Sequence, residues 1–272
     1  MHGTVTITET GQVKIHTYTA PETGWMANSH IVELPHDLVL IDAQLTATYA
    51  RELLELAAAL GKPVTRLYIS HAHPDHFTGA AIIDAPSYAL ASVKSLIDAS
   101  GDLRIERVYS CTPGHDRTGL VSRRPVDQVV QAGDEMIDGV LFSFDPVADA
   151  ETTEQLTIAL PDQGVLIAQD ILYNKVHPFI GEQAFDAWEA AITALEARPY
   201  DVILPGHGFP GDRRLYDMNR AYLASALTAF ARATGPEDLN RRLEAAFPDY
   251  GGTAMQGLQN FYLFPAQRLA MP

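Results

Sequence analysis

The chain has 272 residues, with 19 Lys and Arg against 34 Asp and Glu, for a formal charge of −15. Hydrophobic residues make up 47% and charged ones 19%, values that fit a globular domain and exclude a disordered chain. The acidic balance argues against nucleic acid, which needs clustered cations, and one cysteine, Cys111, excludes an internal disulfide or a multi-cysteine zinc finger. The first residues do not pair a basic stretch with an apolar one, and no run approaches the 18 apolar residues of a membrane span. The expectation is one cytoplasmic domain over residues 1–272, with a small-molecule substrate and no membrane or nucleic-acid partner. The oligomeric state is left open.

In chain order, Val5 to Thr8, Val13 to Tyr18, Ser29 to Leu34 and Leu38 to Asp42 read as short strands. Thr10-Gly11, Pro21 to Gly24 and Pro35 to Asp37 are the turns between them. Thr46 to Leu60 reads as a helix, with Leu53, Leu54, Ala57 and Leu60 on one face and Gly61 and Pro63 closing it. Arg66 to Ser70 is a strand, Ser92 to Ala99 a helix, Arg107 to Ser110 a strand and Pro113 to Arg124 a polar loop. Gly139 to Phe144, Gln155 to Leu160 and Gly164 to Ala168 form a second strand block. Phe185 to Glu196 is a helix, Asp201 to Leu204 a strand, and Arg213 to Ala233 and Pro236 to Ala246 are helices. Strands followed by helices occur twice, which two face-to-face sheets with helices outside would explain.

The chemistry lies in Ser70-His71-Ala72-His73-Pro74-Asp75-His76-Phe77-Thr78-Gly79. Four candidate metal ligands fall within six residues, directly after a strand. Imidazole and carboxylate suit zinc and similar divalent ions. His71 and His73, two apart, leave extended backbone on the same side. Asp75 and His76 follow Pro74, where the chain turns, and face a second point nearby.

This pattern resembles the metallo-β-lactamase-fold hydrolases. The resemblance rests on His71-Ala72-His73-Pro74-Asp75-His76, on Ala168-Gln169-Asp170 after an apolar strand, and on Leu204-Pro205-Gly206-His207-Gly208 after another. These anchors keep the family's order across about residues 28–210. The resemblance implies an α+β fold, a four-layer αββα sandwich with a dinuclear site at one edge of its sheets. It implies one metal on His71 and His73, a second on Asp75, His76 and His207, and Asp170 bridging the two.

One member departs. Where the family places a third histidine, this chain has Ala150-Glu151-Thr152-Thr153-Glu154-Gln155-Leu156. Glu151 falls at the histidine position, and alkylsulfatases resemble it in using a glutamate there. The rival is His115, in Pro113-Gly114-His115-Asp116-Arg117-Thr118-Gly119, but His115 precedes Asp170 by 55 residues, whereas Glu151 precedes Asp170 by 19. Asp75, Glu151 and Asp170 bring three negative charges, which two divalent cations and one hydroxide balance. The extra carboxylate hardens the site, so manganese or iron stand beside zinc as candidates.

The implied reaction is attack by a metal-bridging hydroxide on a small ester, lactone, thioester or related substrate, with Asp75 orienting the hydroxide. Trp25, in a loop from Pro21 to Asn28 that would serve as a lid, and Tyr173 and His177 are the candidate substrate-binding residues. Phe261, Tyr262 and Phe264 either line the pocket or only pack. Alternatives on the same fold are a mononuclear iron dioxygenase and a sulfate-ester hydrolase, though the chain is short of the alkylsulfatases' long C-terminal extension. A secreted β-lactamase would bring a signal peptide and a metal-site cysteine, and a nuclease a less acidic chain.

Overall fold

The structure is a computed structural model that describes residues 2–112 and 119–265. Strands β1 (Thr4–Thr10), β2 (Val13–Thr19), β3 (Asn28–Glu33) and β4 (Leu38–Ile41) pair antiparallel through short connections. From β4 the chain enters α1 (Ala47–Ala59), whose Thr46 cap accepts a hydrogen bond from the Tyr49 amide. This crossover lets β5 (Val64–Tyr68) add parallel to β4. After α2 (Pro74–Phe77), β6 (Ser87–Ala89), α3 (Ala91–Cys111) and β7 (Gln128–Val129) complete a seven-stranded sheet in sequential order.

The second sheet holds β8 (Gly133–Ile137), β9 (Val140–Ala148), β10 (Glu154–Leu160), β11 (Val165–Tyr173), β12 (Val202–His207) and β13 (Gly211–Asp212), in the order β13-β12-β11-β10-β9-β8. Its parallel step, β11 to β12, is bridged by α4 (Phe185–Glu196). Then follow α5 (Arg214–Arg232), α6 (Pro236–Ala246) and α7 (Met255–Leu263).

Strand β11 shows how the layers form. Val165 and Ile167 join the core shared with the first sheet, while Leu166 and Ala168 face Trp188 and Ile192 of α4. A strand buried on both sides reads as a continuous apolar run. Each large apolar side chain so buried contributes about 1.5–3 kcal/mol. Leu53 and Ala57 of α1 and Val93 and Ile97 of α3 pack with β3 to β5, and α4 and α5 with β11. The result is the expected αββα sandwich.

Two local expectations change. Arg107 to Ser110 is the last part of α3, which runs on through Cys111. Val108 and Tyr109 have strand propensity, but Ile97, Ile105 and Val108 are all buried at helical spacing, and packing outweighs propensity. Phe261 and Tyr262, read only as part of an aromatic cluster with Phe264, lie in helix α7, Met255–Leu263. His115 and most of the segment that carries it lie outside the described residues. Among the described residues no helix is long and apolar enough to cross a membrane.

Candidate metal centre

Five strand ends converge on one edge of the sandwich. Asp42 follows β4, the Ser70–Pro74 turn follows β5, Glu151 tops the turn between β9 and β10, Asp170 sits late in β11, and His207 ends β12. Pro74 begins α2, where a missing N–H costs nothing, so Asp75 and His76 point back across the strand ends. Gly206 is required next door, because a Cβ there would fall on Asp170 Oδ1.

The side chains form two groups that share Asp170. In the first, His73 Nδ1 lies 3.1 Å from Glu151 Oε1, and His71 Nε2 lies 3.8 Å from both Glu151 Oε2 and Asp170 Oδ2. In the second, His207 Nε2 lies 3.2 Å from Asp75 Oδ2 and from Asp170 Oδ2, and His76 Nε2 lies 3.4 Å from Asp75 Oδ2 and 3.3 Å from Asp170 Oδ1. The ligand atoms of His71, His73, Glu151 and Asp170 lie close enough to meet on one ion, as do those of Asp75, His76 and His207. Glu151 is 1% exposed, so it is no loop acid in solvent.

The far sides of three of the rings are fastened. His76 Nδ1 donates to Asp42 Oδ2 at 2.7 Å, and His207 Nδ1 to the Trp25 carbonyl at 2.8 Å. Ser70 Oγ gives its proton to Asp42 Oδ2, so it accepts from His71 Nδ1 at 2.9 Å. These bonds occupy Nδ1 and leave each Nε2 directed into the site as the atom a metal would take. The Nε2 atoms of His71, His76 and His207, both Glu151 oxygens and Asp170 Oδ1 are buried without a hydrogen bond. Six such atoms in one place would be very costly in a dry interior. Divalent cations would satisfy all of them, and the imidazole and carboxylate donor set suits zinc, manganese or iron.

The electrostatics agree. Burial would lower the His207 imidazole, but the charges of Asp170 and Asp75 outweigh it and push it up to about 10. His76 is likewise carried well above its ordinary value against burial, by Asp170, Asp75 and Asp42. Burial pushes Glu151 up to about 7, with His73 partly opposing. Groups so far from their solution behaviour mark a site built for charge.

Of the other expected residues, Trp25 lines the cleft above this centre, and its loop is tied to the end of β12. Its carbonyl holds His207, Met26 accepts from the Gly208 amide, and Ala27 bridges to His207. Tyr173 stacks on His207 at 4.8 Å and gives its hydroxyl proton to Asp170 Oδ2 at 2.6 Å. That proton is committed to the carboxylate rather than to a substrate oxyanion. His177 is buried elsewhere, bonded to the Tyr222 hydroxyl at 3.1 Å beside Tyr250, and does not line the cleft. Burial lowers it to about 4.

A cleft opens over this centre. Its walls are Trp25, Val108, Phe179, Met255, Leu258 and Tyr262, and its floor is His73, Asp75, Glu151 and Asp170, with Arg104 at the side. Arg104 and Phe179 carried no recognisable motif, whereas Asp42 had a signal, as the acid closing a buried strand.

The family model for the metallo-β-lactamase superfamily matches residues 23–207. The chain belongs to that superfamily. A linear primary-alkylsulfatase from Pseudomonas sp. is 22% identical over 218 residues, 66% of this chain and 41% of its own length. An (R)-specific secondary-alkylsulfatase from Pseudomonas sp. is 27% identical over 251 residues, 75% of this chain and 37% of its own length. The chain thus spans about two-fifths of these curated relatives. Among solved structures, a metallo-β-lactamase from Pontibacter korlensis superposes with a TM-score of 0.65 at 21% identity, covering 81% of this chain and 99% of its own. The FIM-1 metallo-β-lactamase of Pseudomonas aeruginosa, in its mono-zinc form, gives 0.60 at 20% identity, over 82% and 96%. At such identities these structures share the superfamily's fold with this chain.

Proposed function

We propose that the chain is a dinuclear metal-dependent hydrolase of small esters, lactones or thioesters with an apolar portion. The observation that carries this reading is the pair of ligand groups with Asp170 between them, their unpaired nitrogen and oxygen atoms at the floor of an apolar cleft. His71, His73 and Glu151 would hold one ion, and Asp75, His76 and His207 the other, with Asp170 between them. Zinc is the first candidate. Bound there, the pair would supply Lewis acidity and hydroxide near neutral pH. The chain's own residues do the positioning. Asp75 belongs to the ligand group and also lines the cleft, so its carboxylate can orient the attacking oxygen and take its proton. Tyr173 fixes one Asp170 oxygen, and Trp25 and Phe179 keep water from the reacting carbon.

A second reading, sulfate-ester hydrolysis, is favoured by Glu151 in the ligand set and by the similarity to two alkylsulfatases. Elemental analysis of the purified protein, with a panel of octanoyl ester, lactone, thioester and octyl sulfate substrates, tests both. Two divalent ions per chain and turnover of a carbonyl substrate support the first, and turnover of octyl sulfate alone supports the second. One iron with oxygen consumption, or no metal, overturns both.

A further inference from the structure

We propose that Arg104 is the residue that selects the substrate by charge, binding an anionic group held beside the metal-ligand floor. The inference rests on the hydrolase reading and deepens it. Among the described residues Arg104 is the one basic side chain lining the cleft besides the ligand His73. It is half-buried, and its hydrogen bonds within the protein are long, NH1 to the Ala72 carbonyl at 3.4 Å and Nε to Ser100 Oγ at 3.3 Å. No described carboxylate pairs with it, whereas Arg123, Arg124, Arg198, Arg214, Arg220 and Arg242 each have one. A guanidinium offers five donors in a planar fork. Two are loosely used here, and the rest remain for a ligand.

Its placement gives direction. Ala72 stands between His71 and His73, so the bond to its carbonyl sets the guanidinium beside the first ligand group. Val108 is one turn further along α3, about 6 Å away, and with Met255 and Leu258 of α7 it continues the wall as apolar surface. Head and tail are thus arranged for an amphiphilic anion. On a chain of net charge −15, an anion meets a repulsive field, and a local cation is what would admit it. The anionic group has two sources: a sulfate that is itself cleaved, or a carboxylate elsewhere on a substrate cleaved at an ester.

The test is inhibition of 4-nitrophenyl octanoate hydrolysis by octyl sulfate, by octanoate and by neutral octanol, in wild type, Arg104→Gln and Arg104→Lys. Loss of a charge-assisted, forked contact should weaken the bound anion about ten- to hundredfold in Arg104→Gln, with the effect on octanol several-fold smaller and partial recovery in Arg104→Lys. Release of octanol and sulfate from octyl sulfate identifies the sulfate source, and tighter binding of octanoate without such release identifies the carboxylate. Equal shifts for anions and octanol, or none, overturn the proposal. Calorimetric titration of octyl sulfate and octanoate into the metal-loaded proteins separates the two readings. If no carbonyl ester is turned over yet anion binding still falls in Arg104→Gln, the carbonyl-ester reading fails and the anion site stands.

Discussion

Replacing Asp42 with Asn should weaken both the fold and the metal centre. Asp42 is fully buried and accepts from the Ser70 amide on Oδ1 at 2.7 Å, and from Ser70 Oγ and His76 Nδ1 on Oδ2, each at 2.7 Å, with Gln169 Nε2 as a further donor. Its φ is 61°, a left-handed conformation that Asn tolerates at least as well as Asp, so the exchange leaves the backbone unstrained. An amide group offers one oxygen. In its better orientation that oxygen keeps the three Oδ2 donors, and the NH2 meets the Ser70 N–H head on. One buried amide then goes without an acceptor, at about 1–3 kcal/mol. The three remaining bonds lose their charge assistance, roughly halving each. Burying a neutral amide costs less than burying a carboxylate, which offsets part of this, so we expect a net loss of about 2–4 kcal/mol in the metal-free protein, read by urea denaturation, and a fall in Tm of about 5–15 °C for a chain this long. Because Asp42 orients His76 directly and His71 through Ser70, both ions should bind about ten- to hundredfold more weakly, measured by chelator competition. Wild-type stability together with wild-type affinity at both sites would refute the argument.

Glu151→Gln should lower the affinity of the first ion by at least about tenfold, and Glu151→His should recover part of it with a shift towards zinc, both read by calorimetry. His207→Ala should take the metal content from two ions towards one, and unchanged stoichiometry in elemental analysis would show that His207 holds no metal. Metal-free protein should lose stability with rising pH. The folded His207 titrates at about 10 and an unfolded imidazole near ~6.5, so the folded state holds the extra proton between those values. That stabilisation is complete below about pH 6.5 and is lost as pH rises through about 10. Thermal melts with chelator from pH 6 to 10 should slope downward, and metal should flatten them by displacing the proton. An upward slope would count against the prediction.

The ligand-bearing stretches were readable because chemistry dictates their spacing: His71, His73, Asp75 and His76 are adjacent in sequence as well as in space. Asp170 and His207 were readable only by their order after apolar strands. The geometry brings Glu151 to 3.1 Å from His73 despite its departure from the usual histidine. The supporting residues were opaque for a physical reason. Asp42 lies 34 residues from His76 and Trp25 lies 182 from His207, and no local pattern announces contacts that only the tertiary fold creates. The cleft wall was hidden by α3, whose polar first half and β-prone last turn mask one long helix, and by α7, where aromatic residues hide a helical repeat. Tyr173 and His177 were found as polar aromatics near Asp170, but sequence proximity does not reveal where a proton goes.

The hold on His207 has a consequence for how such a site can diversify. Its acceptor is the main-chain carbonyl of residue 25, whereas the indole of that residue faces the cleft. Every amino acid carries the same carbonyl, so no substitution at position 25 deletes this grip on the imidazole, provided the left-handed backbone there, φ 60°, is kept. One residue therefore serves two masters through different atoms. Its side chain can drift under selection for new substrates while the support of the imidazole is inherited unchanged.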